Sequence, residues 1–254
     1  MFFHILLWNL YPDADPADVA EGMRRMQTEN PADVKRLSFG RRADMRLLGP
    51  LPSGELRRGS GGLTVEGRGF EYFFLMNFED DPAYRRYVES SSHMDFVWET
   101  CAARWSRFMS INQIHEEAAP VAVGTVGGPG SLVDLVQWDC DPALTELEAA
   151  EMMSAAVDLC GTASGVSGII GGRGFLSDPG SGEKVVDRSL LRPREEPRPY
   201  HRVGDPPHFG MVLEFSDEAA FSSFNSSTEW AAFVEHFMSR WTRAWHLPMT
   251  VEWG

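Results

Sequence analysis

The sequence predicts an α+β protein in which two tandem ferredoxin-like units, each β-α-β-β-α-β, close on each other as an intramolecular α+β barrel. Three observations carry that prediction. The segments FHILLWNL and LVDLVQWDC resemble each other, aligning Trp8 with Trp138 and His4 with Asp134. Asp-Pro follows in both copies, at Asp15-Pro16 and Asp141-Pro142, and each pair precedes a helical stretch. Each copy also ends in an aromatic helix and an apolar strand, which leaves a sheet face that must be buried. A second copy in the same chain supplies the cover.

The elements follow in order. In the first strand, alternation puts Phe2, His4, Leu6, Trp8 and Leu10 on one face and Phe3, Ile5, Leu7 and Asn9 on the other. Asp as N-cap with Pro at the first helical position starts a helix. The first runs to about Asn30, with Val19, Met23 and Met26 in one stripe; the second runs from about Pro142 to Cys160 and stops at Gly161. A glycine-bearing strand comes next, RLSFGRRA in one copy and VSGIIGGRGFL in the other. Insertions follow, at about 44–69 and about 177–207. Loops of such length are functional lids or disordered segments, and the Arg and Pro density of the second predicts disorder for part of it. The third strands lie at 70–80 and 208–217, ended by Phe78 and Phe215 before acidic turns. Short helices, PAYRRYV and EAAFSSFN, precede longer aromatic ones, HMDFVWETCAARWSRF with Ser92 as N-cap and EWAAFVEHFMSRWTRAW. The last strands are MSINQI and MTVEW. The expected division is a first unit at 1–114, a linker at 115–130 and a second unit at 131–254.

Composition narrows the partners. A formal net charge of −14 repels phosphate backbones and anionic lipid, so neither nucleic acid nor a membrane surface is expected as a partner. The start of the chain has no basic n-region, and its apolar run is too short to span a bilayer, so a cytoplasmic protein is expected. Cys101, Cys140 and Cys160 have no paired spacing and read as buried thiols. There is no HxxxH, HExxH or carboxylate cluster, so no metal is expected. The glycine runs GSGG, GTVGG and IIGGRG lack the strand-to-helix context of a phosphate loop and read as turns.

His4 sits among apolar residues on the first strand. It is either a core histidine with a satisfied hydrogen bond or a group for proton transfer. His93 opens a helix, where the positive end of the dipole favours neutral imidazole. Tyr72, Phe74, Met76 and Phe78 share one strand face, and Tyr84 and Tyr87 lie one turn apart. His115, His201, His208, His236 and His246 are weaker candidates; His236 is a lone helical histidine that could serve as an axial haem ligand.

The histidine in FHILLWNL, the aromatic strand EYFFLMNF and the stretch AYRRYVESSSHMDF resemble the stress-responsive dimeric α+β barrel (Dabb) family. The proline of that family's signature is replaced within Ser90-Ser91-Ser92. The resemblance, above all to olivetolic acid cyclase-type polyketide cyclases, implies a cofactor-free enzyme. His4 and His93 would exchange protons with a hydrophobic small-molecule substrate, and Tyr72 and Tyr87 would orient His93 and bond a carbonyl oxygen. Trp8, Phe74 and Phe96 would line the substrate's site. The second copy departs: Asp134 replaces His4, Phe209 replaces Tyr72, Phe224 replaces Tyr87, and Glu229 or Trp230 replaces His93. One equipped half and one scaffold half are therefore expected, in a monomer with an internal pseudo-dimer or a homodimer of such chains. Three functions fit: a cyclase or lyase of secondary metabolism, a cofactor-free monooxygenase of the antibiotic-biosynthesis type, or a small-molecule-binding stress protein without catalysis.

Overall fold

The computed structural model describes residues 2–29, 32–45, 49–101, 103–115, 128–175, 201–202 and 207–253. The expected linker falls mostly outside these residues, and so does nearly all of the 177–207 insertion. The first half contributes β1 (Phe2–Leu10), α1 (Pro16–Glu29), β2 (Arg36–Arg42), β3 (Gly54–Gly59), β4 (Gly62–Gly67), β5 (Tyr72–Phe78), α2 (Asp81–Val88), α3 (Ser91–Asp95) and β6 (Trp105–His115). A π-helical turn, Phe96–Cys101, continues α3. The second half contributes β7 (Leu132–Cys140), α4 (Glu146–Thr162), β8 (Val166–Phe175), the short β9 (His201–Arg202), β10 (Phe209–Phe215), α5 (Glu218–Asn225), α6 (Thr228–Met238) and β11 (Trp241–Trp253).

The strand order confirms the α+β barrel. The strands run β2-β5-β1-β6-β8-β10-β7-β11, and a further antiparallel pairing of β11 with β2 closes the ring. Within each half the order is that of a ferredoxin-like sheet. The repeat also holds in register, with Trp8 opposite Tyr72 and Trp138 opposite Phe209. Inside the ring lie Phe3, Ile5, Leu7, Phe73 and Leu75 from one sheet, with Val133, Leu135, Ile170, Val212 and Leu247 from the other. The outward faces meet helices. Phe2, Leu6 and Trp8 pack with Val19, Met23 and Met26 of α1, while Val136 and Trp138 pack with Met152, Met153 and Val157 of α4. Strand alternation thus divides each strand between the barrel interior and a helix–sheet layer.

Several local expectations are corrected. In the second half Asp141-Pro142 forms a turn and not a helix start. The helix begins after Thr145, whose hydroxyl accepts from the Glu148 backbone N–H while the Glu148 carboxylate accepts from the Thr145 backbone N–H. That reciprocal capping box satisfies two otherwise orphaned donors, so it outcompetes the Asp-Pro signal. Ser90, not Ser92, caps α3, accepting from the His93 backbone N–H at 3.2 Å. The aromatic stretches at the end of each half are helical only in part. β6 begins at Trp105 and β11 at Trp241, because aromatic and β-branched side chains serve a half-buried strand as well as a helix. Cys101 and Cys140 are buried free thiols, as expected, with burial pushing both upward, Cys140 to about 12. No helix among the described residues is long and apolar enough to cross a membrane.

The ring closes where backbones approach closely. Gly40 on β2 lies opposite Val251, and a Cβ there would collide with the Thr250 carbonyl oxygen and the Phe73 ring. Neither partner is the flexible end of a long side chain, so the strands must separate to admit a methyl group. Gly40→Ala is expected to destabilise the fold by about 1–3 kcal/mol, the usual cost of overpacking, read as a lower urea midpoint. An unchanged midpoint would show that the seam carries no such constraint.

Candidate functional site

The helix–sheet layer of the first half brings three of the four expected catalytic side chains together. His4 points from β1 toward the helices, 4% exposed, and its Nδ1 donates to the Asn112 Oδ1 on β6 at 2.6 Å. That bond fixes the tautomer and leaves the lone pair on Nε2. His93, 9% exposed, donates from Nδ1 to the Val88 carbonyl at 2.9 Å and is fixed in the same tautomer. Burial lowers both, each to about 4; the proximity of His4 pushes His93 further down, while their hydrogen bonds partly oppose the shift. At neutral pH the layer therefore holds two adjacent uncharged imidazoles.

Tyrosines link the two rings. Tyr84 lies 5.1 Å from the His4 ring and Tyr87 lies 4.7 Å from the His93 ring, centroid to centroid. The Tyr87 hydroxyl donates to the Met26 sulfur at 2.9 Å rather than to His93, so it positions the imidazole by packing. Burial raises the Tyr87 phenol well above its ordinary value. The expected wall residues Trp8, Phe74 and Phe96 are all buried in this layer, with Trp105 stacked on Trp8 at 5.5 Å. The indole N–H groups of Trp8 and Trp105 are buried without an acceptor among the described residues. The π-helical turn begins directly after α3, three residues beyond His93. Such turns insert an extra residue into the helical ladder and recur at functional sites.

Tyr72 is not part of this cluster. It pairs with Trp8, four residues along β1 from His4, or about 13 Å at strand spacing. It stacks against Trp8 and Phe39 and lines a cavity at the end of the barrel. The period-two pattern put Tyr72 on the right face, but strand register put it at the far end. Tyr84, which the sequence offered only as an alternative to Tyr87, is the tyrosine beside His4.

The second half has also lost the His/Tyr set, but it is not inert. Asp134 and His246 are both wholly buried, and His246 Nε2 donates to Asp134 Oδ2 at 2.9 Å. Nδ1 of the same ring donates to the Leu51 carbonyl at 2.9 Å. Burial by itself would keep this imidazole neutral, but the Asp134 carboxylate and the carbonyls of Leu51 and Pro52 outweigh it and raise its pKa. Asp134 Oδ1 has no partner among the described residues. Sequence reasoning missed the pair by reading His246 as lying past a helix. The usable signal was the Trp105/Trp241 correspondence, which puts His246 on a strand beside β7.

Leu51 belongs to the first insertion, most of which lies among the described residues. Its β3–β4 hairpin joins β11, with Leu56 opposite Ala244, and Leu51 and Leu56 fill the second half's helix–sheet layer. Arg58 donates to the carbonyls of Trp241 and Met238 at the same edge. The insertion of one half therefore plugs the layer of the other. His236 is exposed and touches Phe237 edge-on, and the described residues form no enclosed site around it for an axial ligand.

No protein-family model and no curated protein matches this chain. Solved structures do. A candidate monooxygenase from Fusobacterium nucleatum superposes with a TM-score of 0.55 at 7% identity, covering 98% of this chain and 91% of that one. A candidate monooxygenase from Lactobacillus acidophilus gives 0.52 at 9% identity, covering 99% and 93%. An anthrone oxidase-like protein gives 0.51 at 7% identity, covering 98% and 90%. At such identities the likeness is one of fold, and it spans both halves.

The buried histidines set opposite pH limits. His4 and His93 bind protons near pH 6.5 when unfolded but only near 4 when folded, so the unfolded chain holds more protons between those values. Stability therefore falls as pH drops from about 6.5 to about 4, by up to roughly 3 kcal/mol per ring. Urea midpoints across that range should show the slope, and His4→Gln with His93→Gln should flatten it; an unaltered slope would assign it elsewhere. His246 behaves in the reverse sense. Its raised pKa gives stability that is complete below 6.5 and lost as pH rises through the folded value. Asp134→Asn should cost about 3 kcal/mol, the lower end for breaking a buried pair, and should remove that alkaline limb.

Proposed function

We propose that the protein is a cofactor-independent enzyme that deprotonates carbon in an aromatic, polyketide-like substrate held in the first half's helix–sheet layer. The observation that carries this reading is the pair of neutral imidazoles, His4 and His93, each with Nδ1–H committed to a fixed acceptor and the lone pair left on Nε2. A fixed tautomer aims the base without reorganisation. A pKa near 4 makes each ring a weak base toward bulk water. The enolate formed on deprotonation would sit beside the new imidazolium and stabilise it, which restores the driving force inside a dry layer. The Dabb-like residues around His4, Tyr87 and His93 support the same reading.

Two outcomes branch from the carbanion. Intramolecular attack on a second carbonyl closes a ring, as in an aldol-type cyclase or lyase. Alternatively the carbanion passes its electrons to molecular oxygen, giving a peroxide anion that takes up a proton. A hydroperoxide on a carbon that still bears hydrogen then loses water and becomes a ketone, so one oxygen atom enters the substrate and the other leaves as water. The monooxygenase-type and anthrone oxidase-like fold neighbours favour the oxygen branch as the second reading.

Anthrone serves as a probe because its methylene is acidic and its oxidation is visible. Oxygen uptake with stoichiometric quinone formation supports the oxygenase branch. Cyclisation of a linear polyketide thioester without oxygen uptake supports the cyclase branch. In either case His4→Ala and His93→Ala should each lower kcat at least roughly 100-fold, the usual contribution of a general base. Full turnover in both variants, with folding verified by circular dichroism, would defeat the catalytic reading and leave a binding protein.

A further inference from the structure

At the end of the barrel where β2 meets β11, a cavity of about 700 Å³ is lined by Arg41, Arg42, Ser53, Arg68, Glu71 and Tyr72, among others. That volume falls within the range of small-ligand sites. In a chain of net charge −14, three guanidiniums around one cavity stand apart. Two of them are neutralised: Arg41 lies 2.8 Å from Glu252, and Arg68 lies 3.7 Å from Glu71. Arg42 has no carboxylate within ion-pair distance among the described residues. Its Nη2 donates to the Ser53 hydroxyl at 2.6 Å, and its Nη1 is buried with no hydrogen-bond partner among the described residues.

We propose that this cavity is a binding site for a small aromatic carboxylate, held by the Arg42 guanidinium and the Tyr72 ring. A half-buried guanidinium with one N–H shut off from water and idle is an incomplete structure, and a carboxylate completes it with a charge-assisted bond. Burial already lowers the Arg42 pKa, with Glu71 and Asp44 acting against the shift, so the cation forgoes solvation for which no protein anion fully compensates. The single uncommitted charge selects a monoanion. Glu71 and Asp44 also line the cavity and would repel a phosphate dianion. The ring of Tyr72, backed by Phe39 at 6.3 Å and Trp8 at 6.0 Å, is a rigid flat wall suited to an aromatic body. Ser53 stands just before the β3–β4 hairpin, so the segment that plugs the second half also orients this guanidinium. The site is separate from the His4 and His93 layer and does not depend on the catalytic reading.

Calorimetric titration of the full chain with benzoate, its uncharged isostere benzamide and inorganic phosphate tests the site. Benzoate is expected to bind saturably and at least about tenfold more tightly than either comparator, as a charge-assisted contact requires. Arg42→Gln should weaken benzoate by about tenfold or more, whereas Arg57→Gln, which removes an exposed hairpin cation, should leave it unchanged. If Arg42→Gln does not fold, Ser53→Ala decides: it keeps the charge, frees the guanidinium and should weaken benzoate by about threefold or more. The proposal is overturned if benzoate does not bind, if benzamide or phosphate binds as tightly, or if the folded Arg42 variant, or Ser53→Ala in its place, binds like the parent.

Discussion

The inner faces of the two sheets have no other way to leave water than against each other. Phe3, Ile5 and Leu7 on β1 and Val133 and Leu135 on β7 are almost wholly excluded from solvent, and all point into one shared interior. Burial of such side chains contributes roughly 1.5–3 kcal/mol each, so the barrel interior outweighs any local interaction described here. Everything else follows from that closure. Helices are driven to the outer faces, alternate residues of each strand are delivered to the helix–sheet layers, and polar groups enter those layers only where the strand pattern allows a substitution. His4 and Asp134 occupy the same strand position in the two halves, and each has acquired the partner its chemistry needs: an amide for a neutral ring, an imidazolium for a carboxylate.

This symmetry of scaffold and asymmetry of contents explains how the halves differ. In the first half, the layer beneath α2 and α3 keeps two uncharged histidines and a row of aromatic rings. In the second, the equivalent space is taken by Leu51 and Leu56 from the first half's insertion, and the buried Asp134–His246 pair is locked to a backbone carbonyl. A plug of this kind relieves the second half of any need for a ligand to complete its packing. It also ties the halves together beyond the barrel, since Arg107 on β6 meets Glu55 on β3 at 2.5 Å while β3 itself pairs with β11.

Much of this was legible in the sequence, for a physical reason. Strand alternation and repeat spacing are local, so the Trp8/Trp138 alignment and the placing of His4 on one face with Phe2, Leu6 and Trp8 could be read directly. The paired sheets followed because an apolar face demands a cover. What could not be read was register between distant segments. Tyr72 and His4 share a face, yet pairing with Trp8 sets Tyr72 apart, and no local pattern states that distance. The Asp134–His246 pair was hidden by the stretch SRWTRAW, whose aromatic spacing suits helix and strand alike. The first insertion looked like an irregular loop because its short hairpin is anchored by β11, at the other end of the chain.

The β2–β11 seam has a consequence for how the protein comes into being. Residues 39–42 pair with residues 249–253, so closure joins segments about 200 positions apart and must overcome the chain entropy of so long a loop. During synthesis the first half is complete long before its sheet partner exists. It must wait with Phe3, Ile5 and Leu7 facing water and the edge of β2 unpaired, which is the arrangement most prone to association with other chains. The strongly negative surface, which takes no part in the barrel itself, is suited to that interval: like-charged nascent chains repel one another until the last strand is made and the ring can close.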